Sequence, residues 1–132
     1  MSGEKMVVLV VDDEAKVGVA MERVLRGEDL RVVTAQSGLH ALQILEREPI
    51  DIVISDQVMP GMDGVLFLET VRNRWPDTVR ALLTAHASPD VYADAVNRGA
   101  VHKILRKPLR ADQIRAAVAE LVNERLARRT GP

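Results

Sequence analysis

The chain runs to 132 residues, 47% hydrophobic and 28% charged, which suits one soluble globular domain with a sizeable core. Eighteen basic against nineteen acidic side chains leave a formal net charge of -1, so no bulk basicity argues for nucleic acid or an anionic membrane surface. The lack of cysteine excludes disulfides and thiolate metal sites and suits a reducing, cytoplasmic setting, and no segment approaches membrane-spanning length.

Met6 to Val11 is a continuous apolar run and reads as a buried strand. Lys5 before it resembles the start of a signal peptide, but Asp12-Asp13-Glu14 ends the run too soon. Ala15 to Arg26 places Val17, Ala20, Met21, Val24 and Leu25 on one helical face, and Gly27 closes that helix. Leu30 to Ala35 is a second strand of mixed character. Ser37 is a good N-cap for a helix using Leu39, Leu42, Ile44 and Leu45, which Pro49 forbids from continuing. Ile50 to Ser55, bounded by Pro49 and by Pro60-Gly61, reads as a strand buried on both faces, with Asp56 where it surfaces.

Asp63 then caps a helix that carries Val65, Leu66, Leu68 and Val71 and ends near Trp75-Pro76. Val79 to Thr84 is the fourth strand. Ser88-Pro89 pairs an N-cap with proline at the first helical position, opening a helix to about Arg98 that Gly99 terminates. Val101 to Leu105 is the fifth strand. A last helix, from about Ala111 to Ala127, has an apolar stripe of Ile114, Ala117, Val118, Leu121 and Val122. Glu120, Glu124, Arg125, Arg128 and Arg129 read as its solvated face, and His40 and His102 as surface or packing residues.

Strands that alternate with helices over short connections describe an α/β doubly wound (βα)5 fold, a parallel sheet sandwiched between helix layers. The first and third strands are uninterrupted apolar runs and the fourth is broken only by Arg80, whereas the second begins Leu30-Arg31 and the fifth contains His102-Lys103. Mixed strands belong at edges, which fits the flavodoxin-like order 2-1-3-4-5. In that order the carboxyl ends of the strands gather Asp12, Asp13, Asp56, Thr84, Ala85 and Lys107 along one edge. Three carboxylates crowded there repel one another unless a cation joins them. Mg2+ takes oxygen ligands, needs only one or two carboxylates and keeps open positions, so Asp13 and Asp56 with a backbone carbonyl suit it. The open positions suit a phosphoryl group, with Thr84 and Lys107 placed to hydrogen-bond and neutralise its oxygens.

Val11-Asp12-Asp13-Glu14, Ser55-Asp56 with Met59-Pro60-Gly61-Met62-Asp63-Gly64, Leu83-Thr84-Ala85, and Gly99-Ala100 followed by Lys107-Pro108 resemble the receiver domains of two-component response regulators, of the chemotaxis-receiver kind. The resemblance covers nearly the whole chain and places a receiver at residues 4–127, with 128–132 as a tail or the start of a linker. It implies that Asp56 accepts a phosphoryl group from the phosphohistidine of a sensor histidine kinase or phosphotransfer protein. Asp13, Asp56 and the main-chain carbonyl of Val58 would bind Mg2+, and Asp12 would hold the metal's waters. Lys107 would pair with Asp56 or its phosphoryl group, Thr84 and the Ala85 amide would meet the phosphoryl oxygens, and the Lys107-Pro108 bond would be cis.

Such a domain is a signalling phosphoacceptor rather than an enzyme, catalysing only its own phosphorylation and dephosphorylation. It would act on a partner or on an output domain outside this chain, as a monomer or a phosphorylation-linked homodimer, without binding DNA itself. The wording of the motifs also resembles receivers joined to cyclic-dinucleotide phosphodiesterase or transcriptional output domains. One position departs from the pattern: three residues before the lysine the family usually has Tyr or Phe, and here stands Ile104, stiff at χ1 and without ring or hydroxyl. That keeps open an alternative, a degenerate receiver acting as a phosphorylation-independent binding module. An Asp-based phosphatase would need a second acid two residues after its nucleophile, where Val58 stands. A nucleotide or flavin carrier would need a Gly-rich loop where Asp12-Asp13-Glu14 lies.

Overall fold

The computed structural model describes residues 5–130, so the expected domain start at residue 4 and the last two residues of the expected tail lie outside the described residues. In chain order the elements are β1 (Met6–Val11), α1 (Ala15–Leu25), β2 (Leu30–Ala35), α2 (Gly38–Arg47), β3 (Ile52–Asp56), α3 (Gly64–Arg74), β4 (Val79–Thr84), α4 (Pro89–Asn97), β5 (Lys103–Arg106) and α5 (Ala111–Thr130). The strands form one sheet in the order β2-β1-β3-β4-β5, every neighbouring pair parallel. The inference from strand composition therefore holds: the two mixed strands are the edges.

Side chains alternate across a strand, so an apolar run in the middle of the sheet must supply two cores at once. Val8 and Val10 of β1, Ile52 and Ile54 of β3, and Ala81 and Leu83 of β4 face α1 and α5, packing on Met21, Leu25, Ala117, Val118 and Leu121. Leu9, Val11, Val53 and Leu82 face the other way, toward Ala41 and Leu45 of α2, Val65, Phe67 and Leu68 of α3, and Ala95 of α4. With β1, β3 and β4 adjacent and parallel, their carboxyl ends open side by side between the two helix layers.

The expected caps are present. Ser37 Oγ accepts from His40 N–H at 3.0 Å, Asp63 Oδ1 from Leu66 N–H at 2.8 Å, and Ser88 Oγ from Val91 N–H at 3.2 Å. Gly27, beyond the end of α1, has φ of 96°, a conformation that glycine adopts without strain.

Three boundaries differ from the sequence reading, each for a visible reason. β3 starts at Ile52 because Asp51 is occupied: its buried carboxylate accepts from Val7 N–H at 2.8 Å, Arg125 Nε at 3.0 Å and Arg129 Nη2 at 2.7 Å. β5 starts at Lys103 because the chain turns at Ala100, with φ of 47°, and His102 Nδ1 takes the Arg80 N–H in place of a backbone carbonyl, at 3.0 Å. α5 continues past Ala127 to Thr130 because its last turns are tied to the sheet. Arg125 and Arg128 are partly buried ties, to Asp51 and to His102 and Glu124, and do not belong to a solvated face, whereas Arg129 pairs with Asp51 and stays exposed.

Arg80, which interrupts the apolar run of β4, is buried without a carboxylate partner among the described residues. It donates to the carbonyls of Pro76, Thr78, Gly99 and Ala100. Burial, with the nearby charges of Arg128 and Arg72, lowers its pKa to about 10, which still leaves it charged at neutral pH.

Candidate functional site

At the carboxyl edge of the sheet, β1 hands over to Asp12 and Asp13, β3 ends in Asp56, β4 ends in Thr84, and β5 is followed closely by Lys107. Asp12 is 3% exposed and Asp56 8%, whereas Asp13 reaches solvent. One oxygen of each of the three carboxylates lies within 4.8 Å of the others, a spacing that can hold a metal ion. Lys107 Nζ joins this group, 2.9 Å from Asp12 Oδ2 and 3.2 Å from Asp56 Oδ1. Its backbone is tied to β4, where Lys107 N–H donates to Thr84 O at 2.9 Å; the Lys107-Pro108 bond is cis, as expected.

The three acids are not equivalent. Asp12 has both oxygens engaged, Oδ2 with Lys107 and Oδ1 with Glu14 N–H at 2.9 Å, so it serves the start of α1 and the site together. Asp13 is the exposed one, and Asp56 has a single lysine contact. Burial and then the charge of Asp12 push the Asp56 carboxyl above the usual carboxylate range, and Lys107 only partly offsets them. For Lys107, burial alone would lower the pKa, but its hydrogen bond to Asp12 and the charges of Asp56 and Asp12 together raise it. The ammonium is therefore firmly charged, while Asp56 favours a proton or a cation more than an ordinary aspartate does.

Thr84 is buried, and its hydroxyl faces His86: Oγ1 donates to His86 O at 3.1 Å and accepts from His86 N–H at 3.1 Å. It makes no bond to Asp56 in this state. Ala85 is exposed, and the Val58 side chain is 70% exposed, so both backbone segments border solvent at the site.

The loop from Asp56 to α3 is held tightly. Ser55 Oγ donates to Asp56 O at 2.9 Å, and Gly64 N–H donates to Gln57 O at 2.9 Å. A Cβ at Gly64 would stand 2.2 Å from Asp56 O, so only glycine permits this approach. Gln57, next to Asp56, turns its side chain to α3, where Oε1 accepts from Val65 N–H at 2.9 Å. Sequence gave no signal for that bond, since a glutamine after a strand is equally suited to solvent. Asp51, also missed, did leave one: an acid inside an otherwise apolar strand run.

A cavity of about 520 Å³ lies at the opposite end of the sheet, lined by residues such as Leu45, Trp75, Pro76 and Arg125. Its charged lining mixes Glu46, Glu48 and Asp77 with Arg47, Arg74 and Arg125, whereas the acids that converge within 4.8 Å among the described residues are Asp12, Asp13 and Asp56 at the open edge. No helix of the described residues is long and apolar enough to cross a membrane.

Residues 8–119 match the response regulator receiver domain family. The chain is 36% identical over 122 residues to the hydrogenase transcriptional regulatory protein HoxA of Cupriavidus necator, covering 92% of this chain and 25% of that protein. It is 32% identical over 120 residues to the DNA-binding transcriptional regulator NtrC of Escherichia coli, covering 91% of this chain and 25% of that protein. The chain thus spans about a quarter of the length of these regulators. Among solved structures, the signal receiver domain of an HD domain-containing protein from Pseudomonas fluorescens superposes with a TM-score of 0.90 at 26% identity, covering 94% of this chain and 99% of that one.

Proposed function

The chain belongs to the response regulator receiver family of two-component systems, and from that premise we propose that Asp56 is its phosphoacceptor. The observation that carries this reading is the carboxylate of Asp56 at the end of the central strand β3, 3.2 Å from the Lys107 ammonium and within a cluster of three acids. A carboxylate oxygen of Asp56 forms the new bond to phosphorus while the bond from phosphorus to the donor breaks, the electron pair leaving with the donor. A phosphohistidine of a sensor histidine kinase or phosphotransfer protein is the donor proposed. Transfer of this loose kind asks mainly for alignment and charge neutralisation, and Lys107 supplies a fixed positive charge beside the attacking oxygen.

The donor set fits Mg2+, a hard cation that takes carboxylate and carbonyl oxygens and keeps its own waters. Asp13, Asp56 and the carbonyl of Val58 would hold it. Asp12, whose oxygens already serve Lys107 and Glu14, is left to act through water. When bound, such an ion supplies further neutralisation of the phosphoryl oxygens.

After transfer, the phosphoryl group presents more charge and more acceptors than the carboxylate it replaced. The Thr84 hydroxyl can leave His86 for one of those oxygens, and the Ala85 amide can meet another. α4 begins five residues beyond Thr84, and Tyr92 and Val96 on it are exposed, so this helix is the surface proposed to carry the signal to a partner or an output domain. Ile104 packs against the core on the α3 and α4 side, at the position where the family usually has a swinging ring, so in this reading packing shifts around it pass the Thr84 movement on. The domain is a cytoplasmic signalling element in this reading, catalysing only its own phosphoryl gain and loss.

Intact mass after incubation with acetyl phosphate, with and without Mg2+, tests the reading on the wild type and Asp56→Asn. One added phosphoryl group that requires Mg2+ and is absent from the variant is expected. A folded wild type that gains no mass would favour a receiver that only binds a partner.

A further inference from the structure

Every amide of the first turn of α3 has an assigned acceptor, and the division of labour is uneven. Asp63 takes Leu66 N–H with its side chain and Phe67 N–H with its carbonyl, as a helix cap does. The two amides before them go elsewhere: Gly64 N–H donates to the main-chain carbonyl of Gln57, and Val65 N–H donates to its side-chain Oε1, each at 2.9 Å. Gln57 therefore grips the helix with both of its carbonyls, from a position directly between Asp56 and Val58.

That placement matters because the bonds that hold the loop tightly fall on Asp56 and Gln57 and not on Val58. Val58 is 70% exposed, and the nearest packed side chain is Met59, 7% exposed. On the other side, Asp56 O is fixed by Ser55 Oγ and by the close approach of Gly64. A side chain that bound neither Val65 nor any other group would leave the Gln57–Val58 peptide free to tilt about the single main-chain bond. Val65 itself is buried, so its amide would lose its acceptor away from bulk water.

We propose that Gln57 is a positioning residue of the phosphoacceptor site: its side-chain carbonyl, by locking to Val65 N–H, sets the orientation of the Asp56 carboxylate and of the Val58 carbonyl toward a shared divalent cation. This rests on the reading of Asp56 as phosphoacceptor and deepens it. The side-chain carbonyl of Gln57 is directed to α3, so the role assigned to it is to aim its neighbours and not to bind the phosphoryl group.

The test uses Gln57→Met, similar in size but without an acceptor, Gln57→Glu, which restores one where a carboxylate also suits the helix N-terminus, and Ser37→Ala, which deletes the side-chain cap of α2 as a control. Mg2+ affinity is read by calorimetry, phosphorylation by acetyl phosphate at saturating Mg2+ by intact mass, and Tm by thermal unfolding without metal. Losses of about tenfold in both affinity and rate are expected for Gln57→Met, the scale seen when groups that orient metal ligands are removed. Gln57→Glu is expected to recover most of the rate, while Ser37→Ala lowers Tm and alters neither. A Gln57→Met protein with lower Tm but wild-type Mg2+ affinity and rate would overturn the proposal, reducing Gln57 to a helix cap. Should the wild type bind Mg2+ yet take no phosphoryl group, the phosphoacceptor reading fails and the affinity alone decides for Gln57. A wild type that does not bind Mg2+ at all overturns both.

Discussion

Replacing Lys107 by methionine keeps the length of the side chain and removes its charge from between two buried acids. In the wild type its ammonium lies 2.9 Å from Asp12 and 3.2 Å from Asp56. Burial and Asp12 both raise the Asp56 pKa and Lys107 opposes them, so in the variant the opposition goes and the carboxyl titrates at still higher pH. The sign for stability follows. A carboxyl whose folded pKa exceeds its unfolded value binds more protons when folded, so stability falls as pH rises from the unfolded value toward the folded one. The slope contributed by one such group cannot exceed about 1.4 kcal/mol per pH unit. Lys107→Met should therefore show a decline that extends to higher pH than in the wild type, by urea titration at a series of pH values. Mg2+ should reverse part of that loss, because a ligand that binds only the folded state stabilises it. Loss of one fixed charge beside the transferring phosphoryl group should slow phosphorylation by about 10²–10³. Asp56 is best followed by carboxyl NMR and phosphorylation by intact mass. An Asp56 titration unchanged in Lys107→Met, together with a rate within about twofold of wild type, would refute the role given to the lysine.

Gly64→Ala should destabilise the domain by about 3 kcal/mol or more and impair phosphorylation, because its Cβ would stand 2.2 Å from Asp56 O and the backbone of the site must move; urea unfolding reads the first effect. Asp51→Ala should cost about 2–4 kcal/mol, less than a fully buried ion pair would, since Arg129 is half exposed. Asp51→Asn should cost less, because the amide oxygen can still accept from Val7 N–H, and equal losses in the two variants would show that the charge alone matters. His102, whose pKa is lowered by burial and by Arg80 and Arg128, binds fewer protons folded than unfolded between its depressed value and 6.5. Its contribution is thus present above 6.5 and lost as pH falls through that window, and His102→Gln should remove this part of the pH dependence of the urea midpoint.

The fold and the acid-lysine cluster were legible for a physical reason: both follow from features one residue type records by itself. A strand buried on two faces has to be apolar at successive positions, so Met6–Val11 and the run Ile52, Val53, Ile54 announce the sheet's centre, and the first charged residue beyond each apolar run, Asp12 and Asp56, marks its open edge. Helix starts were readable likewise, because Ser37, Asp63 and Ser88 are short acceptors that cap from their own position. Bonds that span the chain leave no such record. Asp51 and Arg129 are 78 residues apart, and Arg80 reaches carbonyls up to 20 residues away, so an arginine that ties the last helix to the sheet looks, in sequence, like one that faces water.

Gln57 shows the same limit within eight residues. Its side chain can donate, accept, enter the site or turn away, and which it does depends on where Val65 N–H lies once the turn through Pro60 and Gly61 has closed. Composition at the site names the groups that can do chemistry; the neighbours that aim them are chosen by the fold. Asp12 joins the two cases. Its place after β1 was readable, but that its two oxygens divide between Glu14 N–H and Lys107 was not, and the proposal that Asp13 and Asp56 take the cation rests on this division.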